Sequence, residues 1–275
     1  MDTAAKSKTL LPRVLVGVGL GGAFLGSLLD PILFAFLASI AAMAGTWELS
    51  TALRHGGWTV NRWAAAYLTL PVIGFSFVEG ARGQWLSLVG VIVVLSLVTV
   101  IYHQVERQGT TRELFRNLSA GVFVMFYVPL SLSFAVLTIT SPNGTNILFS
   151  VVLTVVAIDT FGYLIGRFFG KTKFAPGVSP KKTWEGFIAS VVGALLVGIG
   201  SAVLLIGVEL NLAVLFSLAI LLAAVLGDLA ESLIKRDLGI KDMGDILPGH
   251  GGVMDRLDSM LPAAFVGYLF TLVFL

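Results

Sequence analysis

The chain has no cysteine. Disulfides, zinc–thiolate sites and thiol nucleophiles are therefore excluded. Charge is scarce as well. Asp, Glu, Lys and Arg make up 12% of the 275 residues, and there are three histidines. Soluble domains carry roughly 25% charged residues, so a surface this poor in charge does not suit water. Nor is any polar stretch long enough to form a separate soluble domain, and no internal repeat is visible. What remains is apolar: 56% of residues are hydrophobic, and the mean hydropathy is +0.93. Disorder, a fibrous repeat and an ordinary soluble enzyme are excluded. An all-α polytopic membrane protein is expected.

A spanning helix needs about 20 mostly apolar residues. Nine segments meet this: Leu10–Leu29, Pro31–Leu53, Asn61–Val78, Gln84–His103, Asn117–Ile139, Ile147–Phe169, Gly186–Val208, Asn211–Ile234 and Val253–Phe274. Leu29-Asp30-Pro31 breaks the first pair, and Ser141-Pro142-Asn143-Gly144 signals a turn. Glu209-Leu210-Asn211 is the thinnest separator. Glycine is abundant and often falls at spacings that allow close helix packing in lipid.

The net charge of +2 says little, but its placement says more. Of the 18 Lys and Arg residues, 17 fall at the N-terminus or in the even-numbered connections between spans, and only Arg82 falls on the other side. By the positive-inside rule the N-terminus is expected in the cytoplasm and the C-terminus outside.

Acidic groups inside spans are costly and each needs a reason. They are Glu48, Asp159, Asp228, Glu231, Asp255 and Asp258, five of the six after residue 150. Residues 1–145 thus read as a scaffold of about five helices. Residues 146–275 read as a catalytic region of about four, all within one integrated membrane domain. No role for Glu48 emerges.

In the eighth span, Asp228, Glu231, Ser232 and Lys235 stand at i, i+3, i+4 and i+7, one helical face. Asp255 and Asp258 open the ninth span at i, i+3, again one expected face. Clustered carboxylates cannot all ionise without cations between them. Oxygen ligands of this kind suit Mg²⁺, and two facing clusters suit two metal ions and phosphoryl transfer. The same residues also read as interfacial charges snorkelling into water.

The loop between these spans holds Lys241, Asp242, Gly244, Pro248, Gly249, His250, Gly251 and Gly252. Backbone N–H groups in such a glycine-rich turn can approach phosphate oxygens, and the loop runs into a helix start. His250 is expected either to contact phosphate or metal-bound water or to be structural. Upstream, Asp159 lies in the sixth span. It is followed by Ser179-Pro180-Lys181-Lys182-Thr183-Trp184-Glu185-Gly186. Ser179 is expected to cap the next helix, with Pro180 at its first position. Lys181 and Lys182 suit an anionic headgroup or a triphosphate, or equally topology and anionic-lipid contact.

At these residues the sequence resembles the phosphatidate cytidylyltransferase, or CDP-diacylglycerol synthase, family. Ser232, Lys235, Arg236, Lys241, Asp242, Gly244, Pro248, His250, Gly251, Gly252, Asp255, Arg256 and Asp258 fill the family signature without a departure. The Asp-x-Phe-Gly-Tyr block at Asp159 and the Ser-Pro-Lys-Lys-Thr-x-Glu-Gly block at Ser179 are similar to family patterns too. The likeness covers about residues 155–260; before that it is hydropathy alone.

The resemblance implies a multi-span, often dimeric Mg²⁺ enzyme; on the topology above, its site is expected to face the cytoplasm, in a bacterial-type inner or cell membrane. CTP and phosphatidic acid are its substrates, membrane lipids its surroundings, and nucleic acid no partner. It implies attack of the phosphatidate phosphate on the CTP α-phosphorus, giving CDP-diacylglycerol and pyrophosphate. Lys235, Arg236, Lys241, His250 and Arg256 are then expected to be catalytic. Asp159, Ser179, Lys181, Lys182, Glu185, Ser232, Gly251 and Gly252 are expected to bind substrate. Asp228, Glu231, Asp255 and Asp258 are expected to bind one or two metal ions. Two rivals stand: a CTP-dependent kinase of a polyprenol or phytyl alcohol, and, of a different class, a cation transporter.

Overall fold

A computed structural model describes residues 3–106, 109–249 and 251–275, the side chains of residues 3–14 and of Glu106 excepted. The chain is an α-helical, polytopic membrane protein. Helix α1 spans Thr3–Ser27, α2 Pro31–Ala52, α3 Arg62–Tyr67, α4 Thr69–Glu106, α5 Thr111–Met125 and α6 Ser131–Ile139. Then come α7 (Gly144–Phe169), strands β1 (Lys173–Ala175) and β2 (Ser179–Thr183), α8 (Trp184–Gly193) and the short α9 (Ile199–Ser201). The C-terminal part holds α10 (Leu210–Asp237), the one-turn α11 (Met254–Leu257) and α12 (Met260–Phe274). Among the described residues, seven helical segments are long and apolar enough to cross a membrane. Their outward Leu, Val and Phe side chains, such as Phe36, Leu86 and Leu204, are exposed, as contact with lipid requires.

Local chemistry explains the boundaries. Asp30 caps α2 by accepting from Ile32 N at 2.7 Å, with Pro31 at the first helical position. Thr110 and Glu113 form a reciprocal capping box on α5. Between α6 and α7, Asn143 takes the left-handed conformation at φ 57°, closing the turn read from Ser141-Pro142-Asn143-Gly144. Gly207, at φ 82°, ends the helix before α10, so the thinnest expected separator is a real one. Pro129, which lacks an N–H, sits in a π-turn between α5 and α6, where the ordinary helical ladder is interrupted.

Two expected spans, Asn61–Val78 and Gln84–His103, fall in one continuous segment, Arg62–Val105. Gly80 breaks it, with φ 64° and ψ −148°. A Cβ on Gly83 would overlap the carbonyl of Phe75. In a straight helix those two residues lie about 12 Å apart along the axis. The chain therefore folds back on itself at Gly80, where only glycine adopts the backbone angles without strain.

The chain divides into two compact units. One comprises Met1–Val136 with Asp237–Leu257, and the other Leu137–Arg236 with Asp258–Leu275. The first is bound internally by contacts such as Gln84 Nε2 donating to Ser133 Oγ at 2.7 Å. The second is built on a core of Ile147, Val151, Val155, Phe216, Ile220, Ala263 and Phe270.

Glycines set the close approaches in this second unit. A Cβ on Gly186 of α8 would lie 2.9 Å from Gly162 O and 3.1 Å from Gly166 Cα of α7, the small-residue packing that lipid favours. A Cβ on Gly227 of α10 would overlap Asp258 O and lie 2.6 Å from Pro262 Cγ. That missing side chain lets α10 meet the chain at residue 258.

The β-hairpin departs from an all-helical reading. β1 and β2 pair antiparallel, with Lys173 opposite Thr183 and Ala175 opposite Ser179. Ser179 is thus in a strand rather than at a helix cap. Thr183 caps α8, its Oγ1 accepting from Gly186 N at 3.2 Å. A residue in a strand pairs its own backbone with the neighbouring strand, so the cap passes to the last residue of β2.

Candidate functional site

The second unit gathers seven of the expected residues around the C-terminal half of α10: Lys182, Asp228, Glu231, Ser232, Lys235, Arg236 and Asp258. Ser232 Oγ donates to Asp228 Oδ1 at 3.4 Å. Lys235 Nζ lies 3.1 Å from Glu231 Oε2. The four residues read as one helical face therefore interact in i,i+4 pairs along it. Glu231 is fully buried, where a lone carboxylate would be costly, and Lys235 offsets that cost. Asp258 joins this group: its carboxyl meets the side chain of Glu231 and lies in electrostatic range of Asp228 and Lys235. Its Oδ1 also accepts from Ser259 N at 2.6 Å.

The hairpin is tied to the same helix at two points. Lys182 Nζ lies 2.6 Å from Asp228 Oδ2, and Arg236 Nε donates to Val178 O at 3.1 Å. At the hairpin's other end, Thr172 N donates to the Glu185 carboxylate at 3.1 and 3.3 Å. Trp184 N donates to Thr172 O at 2.9 Å. Glu185 thus fixes the start of α8 against the start of the hairpin. Lys181 is exposed on β2, Ser179 is half-buried on it, and Asp159 is exposed on α7.

The glycine-rich loop belongs to the first unit. Leu247 N donates to Gly251 O at 2.9 Å, which closes a tight loop. Within it Gly249 and Gly251 take φ 76° and 82°, values that call for glycine. Asp255 Oδ2 accepts from Met243 N and from Gly252 N, both at 2.9 Å. The Gly252 N–H is therefore directed at Asp255. Lys241 and Arg256 are exposed, and His250 lies outside the described residues.

A short break follows Asp255 and holds Asp258. Asp255 is in α11, which ends at Leu257, and Asp258 lies in the turn before α12. Pro262 explains the break: it has no N–H to bond the carbonyl of Asp258 four residues earlier. Asp255 consequently organises the loop of the first unit, while Asp258 joins Glu231 in the second.

The sequence reading assigned nothing to Glu48. Its Oε2 accepts from Met254 N at 2.8 Å, within the first unit. The available signal was an acid near the C-terminal end of an apolar helix with no basic residue one turn away.

As metal ligands, Asp228, Glu231 and Asp258 offer only hard oxygen donors, which suits Mg²⁺. Among the described residues no three acidic or histidine side chains form a ready-made cage. A hard cation held by these oxygens would have to complete its shell from water or another oxygen ligand.

Residues 11–274 match the model of the Cytidylyltransferase family. A phosphatidate cytidylyltransferase of Mycobacterium bovis is 33% identical over 282 residues, covering 98% of this chain and 90% of that protein. One from Haemophilus influenzae is 32% identical over 286 residues, covering 96% of this chain and 98% of that protein. The chloroplastic phosphatidate cytidylyltransferase 4 of Arabidopsis thaliana is 44% identical over 117 residues, 42% of this chain and 30% of that protein.

Proposed function

Because the chain belongs to the cytidylyltransferase family, we propose that it condenses CTP with phosphatidic acid, giving CDP-diacylglycerol and pyrophosphate. The observation that carries this reading is the near full-length likeness to relatives bearing the name phosphatidate cytidylyltransferase. The acidic and basic side chains around α10 suit phosphate chemistry and support it. The direct test is formation of CDP-diacylglycerol by the purified protein, dependent on both CTP and phosphatidic acid.

In the proposed reaction a phosphate oxygen of phosphatidic acid attacks the α-phosphorus of CTP in line. The bond from that phosphorus to the bridging oxygen breaks, and pyrophosphate leaves with the electron pair. No covalent enzyme intermediate is needed. Lys235, Arg236, Lys241 and Arg256 offset the charge that grows on the phosphates, acting in a site where fixed charges outweigh water. His250 is assigned to a phosphate contact. Lys181 gathers the lipid headgroup. Lys182, Ser232 and Asp159 bind substrate phosphate or sugar. Ser179, Glu185, Gly251 and Gly252 shape the backbone around them.

Mg²⁺, when bound, supplies Lewis-acid stabilisation of the phosphate charge. Asp228, Glu231 and Asp258 are proposed to hold one ion, and Asp255 to contribute to a second. Residues 146–275 carry most of this chemistry, on a scaffold supplied by residues 1–145.

Nine spans follow if the seven long helices are joined by α1 and if Arg62–Val105 counts as two around Gly80. With the basic residues on the even-numbered connections, the N-terminus lies in the cytoplasm and the C-terminus outside, in a bacterial-type cell membrane. The catalytic residues then face the cytoplasm, where CTP is. A homodimer in the lipid plane completes the proposal.

A further inference from the structure

Glu48 lies in α2 with 2% of its surface exposed. Met254 N donates to its Oε2 at 2.8 Å, and the backbone N–H groups of Val253 and Ile246 face the same carboxylate. Two glycines of the loop pack on this carboxylate. A Cβ on Gly244 would overlap Glu48 Oε1 and come within 2.7 Å of its Cγ. A Cβ on Gly252 would lie 2.8 Å from Glu48 Cδ. Neither glycine has a positive φ, so each is glycine for want of room. This separates them from Gly249 and Gly251, whose backbone angles require glycine.

A buried carboxylate is an expensive way to close a loop, since apolar packing of similar volume is often as stable or more so. What the carboxylate adds is direction. It fixes the N–H of Met254, the residue just before Asp255, and Asp255 in turn holds the N–H groups of Met243 and Gly252. The loop is thereby pinned at both ends by two acids, one of them far away in sequence.

We propose that Glu48 is a positioning residue for the reaction: it seats the loop at residues 243–249 and 251–254 on α2 and so sets the orientation of Asp255. This rests on the functional reading above. Residues 1–145 are on this account part of the machinery through one side chain, although that side chain touches no substrate.

The test uses full-length protein in mixed micelles, with Glu48→Ala, Glu48→Gln, Gly244→Ala and the Glu48→Ala/Gly244→Ala double variant. Glu48→Ala is expected to lower kcat about 10²-fold, the scale of an ångström-size misplacement of a catalytic group. The apparent KM for CTP and for phosphatidic acid should stay within about threefold. Glu48→Gln should recover to within about fivefold of the parent, since its amide oxygen still accepts from Met254 N. Gly244→Ala should be slow alone yet add no further loss to Glu48→Ala, because the two act on one contact.

Amide exchange over residues 243–254 should rise in Glu48→Ala and in Gly244→Ala, and not in Glu48→Gln. Exchange does not depend on turnover, so it separates a failure of this proposal from a failure of the functional reading. Unchanged exchange, a Glu48→Ala kcat within threefold of the parent, or multiplicative losses in the double variant would each overturn it. Should Glu48→Ala fail to accumulate, the other two single variants decide. An active Glu48→Gln beside a slow, fast-exchanging Gly244→Ala supports the proposal, and an inactive Glu48→Gln overturns it.

Discussion

Lys182 Nζ lies 2.6 Å from Asp228 Oδ2, while its neighbour Lys181 is exposed on the same strand. Side chains alternate along a strand, so two adjacent lysines of equal charge are given different surroundings. Lys182 should act with the phosphates near Asp228, and Lys181 with the lipid headgroup. Lys182→Ala is expected to lower kcat about 10²-fold, as loss of one preorganised charge does. Lys181→Ala should chiefly raise the apparent KM for phosphatidic acid. Steady-state kinetics with CTP and phosphatidic acid varied independently would check both, and an unchanged lipid KM in Lys181→Ala would move that residue to the nucleotide.

The carboxylates differ from their amides in charge but hardly in size. Asp228→Asn, Asp255→Asn and Asp258→Asn are each expected to abolish turnover while membrane insertion stays intact, because each removes a proposed hard anionic ligand. Activity at limiting Mg²⁺ is the measurement. Near-normal rates in all three variants would make these carboxylates structural.

Much of this arrangement was legible in the sequence. The i, i+3, i+4, i+7 spacing of Asp228, Glu231, Ser232 and Lys235 became two i,i+4 contacts on α10, because helical spacing is a local property. The turns at Asp30-Pro31 and Asn143-Gly144 were legible for the same reason. The rest depended on partners distant in sequence or on local competition. Ser179 looked like a cap until strand pairing took it and left the cap to Thr183. The break after Leu257 depends on Pro262, which leaves the carbonyl of Asp258 without its helical N–H. Glu48 and the two glycines packed on it lie about 200 residues apart, as the 206-residue separation of the Glu48–Met254 bond shows. No spacing rule reaches that far.

Lys235 compensates a fully buried acid, which gives it a structural role beside the catalytic one proposed for it. Lys235→Ala should cost about 3 kcal/mol of stability by leaving Glu231 buried without its cation. It should also lower kcat by about 10²-fold. Adding Glu231→Gln should restore much of the Tm and none of the rate. Thermal unfolding in detergent beside kinetics separates the two roles, and a rate that returned with the Tm would leave Lys235 structural only.

The proposed nine-span topology counts the fold-back at Gly80 as a turn between two spans. A reporter active only outside the cytoplasm, fused after Leu275, is expected to be active, and one fused after Arg82 likewise. Cytoplasmic placement of Leu275 would contradict nine spans.

The central claim is transfer of the cytidylyl group to phosphatidic acid. Purified protein given phosphatidic acid and CTP labelled at the α-phosphorus should place the label in a lipid-soluble product, CDP-diacylglycerol. CTP labelled at the γ-phosphorus should place it in pyrophosphate. Label from the γ-phosphorus in the lipid, with CDP released, would contradict the account and indicate a CTP-dependent lipid kinase.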